Sequence, residues 1–184
     1  MVGLYEIKKR DYFSNHNHGY LTTKGDQSWA LRMPALLTIS PDDFRYAADY
    51  LSTGTFGIRV IDDGNRDTAM AECMAAWEVA DRLGMEDLLD LVIAKSRQAM
   101  PWSLEEVSVY ASIVYRTADS LLDSHATMKY MLAEFIAENF YDYLDQFGEM
   151  FTTGMRKFPE LERDVFKKLA DLADKRLQAE DEED

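Results

Sequence analysis

Few residues in this chain have both the type and the spacing to do chemistry. His16-Asn17-His18 places two imidazoles at i and i+2. An extended backbone would aim both to one side, where they could hold a metal ion. A site of that kind needs a third ligand, and no neighbouring residue supplies an obvious one, so the pair reads as part of a polar loop and no metal is expected. His125 follows a helix start and is expected at the surface. Cys73, the single cysteine, lies on the apolar stripe of a helical segment, whereas a reactive thiol wants an exposed and electropositive position. Glu134 and Glu138 share a helix face at i and i+4 and read as a solvated pair. Thr23-Lys24-Gly25 lacks the glycine spacing that cradles phosphate, and no nucleophile elbow, phosphate loop or dinucleotide fingerprint occurs. No catalytic residue, cofactor or metal site is therefore expected, and the chain does not read as an enzyme.

A second chemistry is recognition by exposed aromatics. Asp43, Tyr46 and Tyr50 fall on one face of a helical segment, opposite Phe44, Ala48 and Leu51. Two tyrosines on that side cannot point into the same core as Phe44 and Leu51, and exposed aromatics on a rigid helix are typical interface anchors. These three residues are the expected partner-binding set; the alternative is that a second layer, such as the helices after Pro101, covers the two tyrosines. The methionine pairs Met70/Met74 and Met128/Met131 could form an adaptable groove, but at helical spacing they read as core.

The elements that would carry these residues follow from caps and periodicity. Ala35 to Ile39 is an apolar run of strand length. Ser40-Pro41-Asp42-Asp43 is a helix start: a capping hydroxyl, a proline suited to the first turn, and acids at the positive end of the dipole. The helix is expected to reach about Leu51 and to stop at Ser52-Thr53-Gly54. Thr55 to Ile61 alternates as a strand, and Asp62-Asp63-Gly64-Asn65 is a turn. Thr68 to Leu83 is helical, closed by Gly84, and Glu86 to about Ala99 is a second, more buried helix. Ser103 and Glu106 form a capping box flanked by Trp102 and Val107. A helix capped by Asp123 or Ser124 follows, then a short piece from Leu144 to Phe151 ended by Gly154, then a helix opened by Pro159.

Composition sets the outer bounds. The chain has 184 residues, 34 acidic against 20 basic, and a formal net charge of −14. Such a charge repels phosphate backbones, so nucleic acid is a poor partner. At 47% apolar and 12% aromatic residues a sizeable core can form. No apolar run approaches the roughly 18 residues of a membrane span, and a membrane partner is not expected. A single cysteine suits a reducing compartment, which implies an intracellular protein, cytoplasmic or nuclear. Four regions are expected: a divergent N-terminal region (1–34), a core (35–100), a helical extension (101–177) and an acidic disordered tail (178–184). The expected fold class is α+β, mostly α-helical, with a few short strands.

Three segments carry a resemblance. Ile39-Ser40-Pro41-Asp42-Asp43-Phe44, then Tyr50 to Phe56 (Tyr-Leu-Ser-Thr-Gly-Thr-Phe), then Ala76 to Leu88 resemble in order and spacing the second half of a BTB/POZ domain, most closely the type abundant in filamentous fungi. Ala137-Glu138-Asn139-Phe140 and Phe158-Pro159-Glu160-Leu161 are similar to parts of the helical extension of such proteins. Ser52 departs from the family, which usually has an aromatic there. The resemblance implies a partial BTB/POZ fold, like that of Skp and elongin C, with an all-α extension. It also implies a non-enzymatic protein-interaction module, an adaptor docking to a cullin of a ubiquitin ligase through the helix from Pro41 to Leu51, with later helices adding contacts. The family's homodimer uses N-terminal elements that are not recognisable in residues 1–34, where only Tyr12-Phe13 matches a family pair, so a homodimer is allowed by the resemblance but not favoured. Two other readings stay open: a helical metal- or ligand-binding protein or enzyme of unknown chemistry, and a degenerate BTB domain without cullin binding.

Overall fold

The computed structural model describes residues 21–23, 29–31, 34–116 and 122–183. The chain divides into two compact units, Met1–Met100 and Pro101–Asp184. His16, His18, Tyr12 and Phe13 lie outside the described residues.

In the first unit, β1 (Leu21–Thr23) pairs antiparallel with β2 (Trp29–Leu31). A single 3-10 turn, Pro34–Thr38, leads into α1 (Pro41–Thr53), α2 (Arg66–Leu83) and α3 (Glu86–Gln98). α1 packs on α2, and α2 on α3. The cap of α1 forms as its residues dictate. Ser40 Oγ accepts from the Asp43 amide at 3.1 Å, and Gly54 closes the helix in the left-handed region at φ 76°. Gly84 closes α2 in the same way, at φ 66°. Cys73 is buried on the apolar stripe of α2 beside Met70 and Trp77.

The α+β expectation is overturned. Apart from the short hairpin, the described regular structure is helical, and neither run expected as a strand forms one. Ala35 to Ile39 falls mostly in the 3-10 turn. Among the described residues no strand pairs with it, and its Thr38 carbonyl instead accepts from Arg82 at 2.8 Å. Thr55 to Ile61 is irregular. A strand needs a ladder for its backbone groups, and here side chains replace the ladder. The Ile58 amide donates to Glu72 Oε2 at 2.8 Å, and the carbonyls of Phe56 and Ile58 both accept from Lys95 Nζ. Gly57 takes φ 53° beneath Glu72, where a Cβ would run into the Glu72 carboxylate. The alternating pattern was real, but Phe56 alone of its apolar positions is fully buried, while Val60 points outward.

The second unit holds α4 (Leu104–Val114), α5 (Asp123–Glu138), α6 (Phe140–Phe147), α7 (Glu149–Arg156) and α8 (Pro159–Glu183). α5 is central, packing against α4 and α8. The capping box at Ser103 and Glu106 is complete in both directions, and its flanking Trp102 and Val107 are buried. Trp102 stacks on Tyr110 at 5.7 Å and packs on Phe135 at 5.1 Å. The break expected at Gly154 falls six residues earlier: Gly148, at φ 50° and ψ −122°, separates α6 from α7, and Gly154 lies inside α7. α8 continues to Glu183. The segment 178–184, expected as a disordered acidic tail, is therefore helical in its backbone through Glu183, since each added residue propagates a helix already nucleated by its packed first turns.

Candidate functional site

The three expected partner residues do not form one exposed face. Asp43 is exposed and accepts from the Ser40 hydroxyl at 2.7 Å. Tyr46 and Tyr50 are each only 6% exposed. The Tyr46 ring meets Phe56 edge-on at 6.0 Å, its hydroxyl accepts from Arg45 at 2.8 Å, and the Arg45 guanidinium lies 4.7 Å from its centroid. The buried face of α1 is Tyr46, Ala47, Tyr50 and Leu51, whereas Phe44 and Ala48, assigned to the core by periodicity, are only half-buried. The stripe was thus placed one position out of phase, and tyrosines fill the core where interface anchors were expected.

His125 is also displaced from expectation. It is 2% exposed, in the first turn of α5. Glu134 is not simply solvated either. It accepts from the Tyr130 hydroxyl at 3.2 Å and lies 4.0 Å from Lys168 Nζ. Lys168 in turn sits 3.3 Å from the Tyr130 ring centroid. These residues line a cleft of about 250 Å³ between α5 and α8, in which Lys168 and Glu134 face each other. Met70, Met128 and Met131 are core residues. Among the described residues, no group of three or more His, Cys, Asp or Glu is placed to hold a metal ion, and no helix is long and apolar enough to cross a membrane.

A larger feature lies in the second unit. An open groove of about 1050 Å³ runs between α4 and α7. One wall is α4, from Leu104 through Ser108 and Ala111 to Ser112. The other is α7, from Glu149 through Met150 and Thr153 to Met155, continued by Phe158. Val107, Ile136, Phe151, Met155 and Leu161 are buried along it, and Met150 is 65% exposed at its mouth. The charged residues bordering it, Glu105, Glu149 and Lys157, are all exposed. Such a lining binds apolar surface and offers little for acid–base chemistry.

The frame around the groove is tied together by aromatic and polar contacts. α6 and α7 are tied by a ring cluster in which Phe151 meets Phe140 at 5.4 Å and Tyr143 at 5.5 Å. The Tyr143 hydroxyl donates to the Trp102 carbonyl at 3.3 Å, and burial raises its pKa. Tyr115, just past α4, donates to the Lys129 carbonyl and to Asp164. Burial, and next the neighbouring Asp164 carboxylate, push its ionisation well above the usual phenol range. Lys129 also reaches Glu160 at 3.1 Å. α4, α5 and α8 are thereby pinned by one polar network.

Sequence reasoning missed this groove because Gly154 looked like a helix stop. No family model matches the chain, and no curated protein or solved structure matches it.

Proposed function

We propose that the chain is a non-enzymatic protein-interaction module whose docking surface is the apolar groove between α4 and α7. The observation that carries this reading is the groove itself: buried apolar residues along its length, an exposed methionine at its mouth and charges only along its border. That pattern, an apolar centre with a polar rim, is the anatomy of an interface. The likeness of residues 39–91 to a BTB/POZ segment supports an adaptor role, with a cullin as the partner class. Burial of Tyr46 and Tyr50 moves the contact away from those rings and toward the later helices, leaving Asp43 as the accessible member of the original set.

The test is a calorimetric titration of the full chain against the N-terminal domain of a BTB-binding cullin. One-to-one binding that weakens about tenfold or more, equivalent to about 1.4 kcal/mol, when the groove is filled by Gly154→Leu supports the adaptor reading. Absence of heat, or binding indifferent to that substitution, contradicts it.

A further inference from the structure

We infer that the groove between α4 and α7 seats a basic amphipathic helix of about three turns from a partner protein; this rests on the interaction-module reading and names the partner's chemistry. Length is the first reason. The groove is lined from Ser103 to Ser112, nearly the whole of α4, and the 11 residues of that helix span about 16 Å at 1.5 Å per residue. An apolar helix face of the same length fits along it, in the helix-in-groove mode.

Width is the second. The walls are thinned by small residues: Ser108, Ala111 and Ser112 on α4, Thr153 and Gly154 on α7. Gly154 is the informative one. Its φ is not positive, and a Cβ built on it would meet nothing within 4 Å. Neither backbone conformation nor internal packing requires glycine there, and glycine is disfavoured in a helix interior. What its missing side chain provides is room for another backbone to approach closely.

Charge is the third. The acidic border residues Glu105 and Glu149 outnumber Lys157, and the whole chain carries −14. A partner helix edged with Lys or Arg is steered toward this surface and held at its border. A second copy of the same acidic chain is repelled on approach. The volume also lies at the top of the range for small-molecule pockets, about 300–1,000 Å³, and the groove is open rather than enclosed.

The experiment is selection of a phage-displayed library of random 14-residue peptides on the full chain, followed by anisotropy titration of the recovered peptides as synthetic, labelled forms. The expected result is recovery of peptides with apolar residues at i, i+3 or i+4 and i+7 and a net positive charge. Their binding should weaken at least tenfold with Gly154→Leu, and again with Ser108→Trp on the opposite wall, and fall as salt rises. Thermal melting of both variants establishes that they remain folded. Recovery of acidic or neutral peptides, or of peptides indifferent to both substitutions, overturns the inference. A cullin domain that binds through the groove while no basic helical peptide is recovered sinks this inference and leaves the adaptor reading standing. Basic helical peptides recovered without cullin binding do the reverse.

Discussion

The two units handle exposed apolar and polar groups in opposite ways. In the first, an irregular segment is anchored in the core by Phe56, and backbone groups beside that anchor are satisfied by charged side chains from α2 and α3. Lys95 is 7% exposed, lies 4.4 Å from the Phe56 ring centroid, and donates to two carbonyls of that segment. In the second, the polar network closes one side of the helix bundle while an apolar groove on another side stays open. A buried backbone without a ladder demands a partner inside the chain. The proposed docking role gives the open apolar slot a partner outside it. The difference separates a structural device from a proposed binding surface without reference to residue type, since tyrosines and methionines occur in both units.

The largest expected effect tests the core side of this contrast. Replacing Tyr46 and Tyr50 together by Ala should cost about 3 kcal/mol or more apiece, as for other buried aromatics cut to Ala. Urea unfolding measures it. A loss within about 0.5 kcal/mol, as for surface sites, would return these rings to the interface. Next is Lys95→Met, which removes the donor of the Phe56 and Ile58 carbonyls. Leaving a buried acceptor unsatisfied costs about 1–3 kcal/mol, so a drop of about 3 kcal/mol is expected in the same measurement. An unchanged midpoint would mean that water reaches these carbonyls.

Alkaline titration sharpens the comparison. Burial raises the pKa of Tyr115 in the second unit above its ordinary value of 10.0. The unfolded chain then releases this proton first, and stability that is full below about pH 10 is lost as pH rises beyond it. Lys95 has the opposite sign: burial lowers its pKa below 10.5, so its charge opposes folding at neutral pH and the penalty is relieved as pH approaches 10.5. Urea unfolding from pH 8 to 11 should show a decline that is shallower in Tyr115→Phe and steeper in Lys95→Met. The same slope in all three chains would remove both groups from the account. The smallest effect is that of Gly154→Ala, which should stabilise the chain by about 0.5–1 kcal/mol, because nothing crowds the added methyl and helix propensity improves. A loss of stability instead would mean that the glycine is there for internal packing.

Much of the helical framework was legible in the sequence because its signals are local. Ser40-Pro41, the Ser103–Glu106 box and Gly84 each fix a helix end through atoms a few residues apart. The strands were misread because alternation in Thr55 to Ile61 says nothing about whether a ladder exists, and the side chains that replace it, Glu72 and Lys95, lie 14 and 37 positions from Ile58. The tyrosine face was misjudged by one step of helical phase, since Tyr is amphipathic enough to satisfy either side. The groove depends on the spacing between α4 and α7, which no local pattern encodes.

Docking through the second unit's groove, as proposed, and docking through α1 give different outcomes in one experiment. Calorimetric titration with the cullin N-terminal domain, run side by side on the unmodified chain, Gly154→Leu and Asp43→Lys, separates them most directly. One-to-one binding that weakens about tenfold or more with Gly154→Leu and changes far less with Asp43→Lys is the expected result. Binding abolished by Asp43→Lys and untouched by Gly154→Leu would contradict the proposal and place the interface on α1.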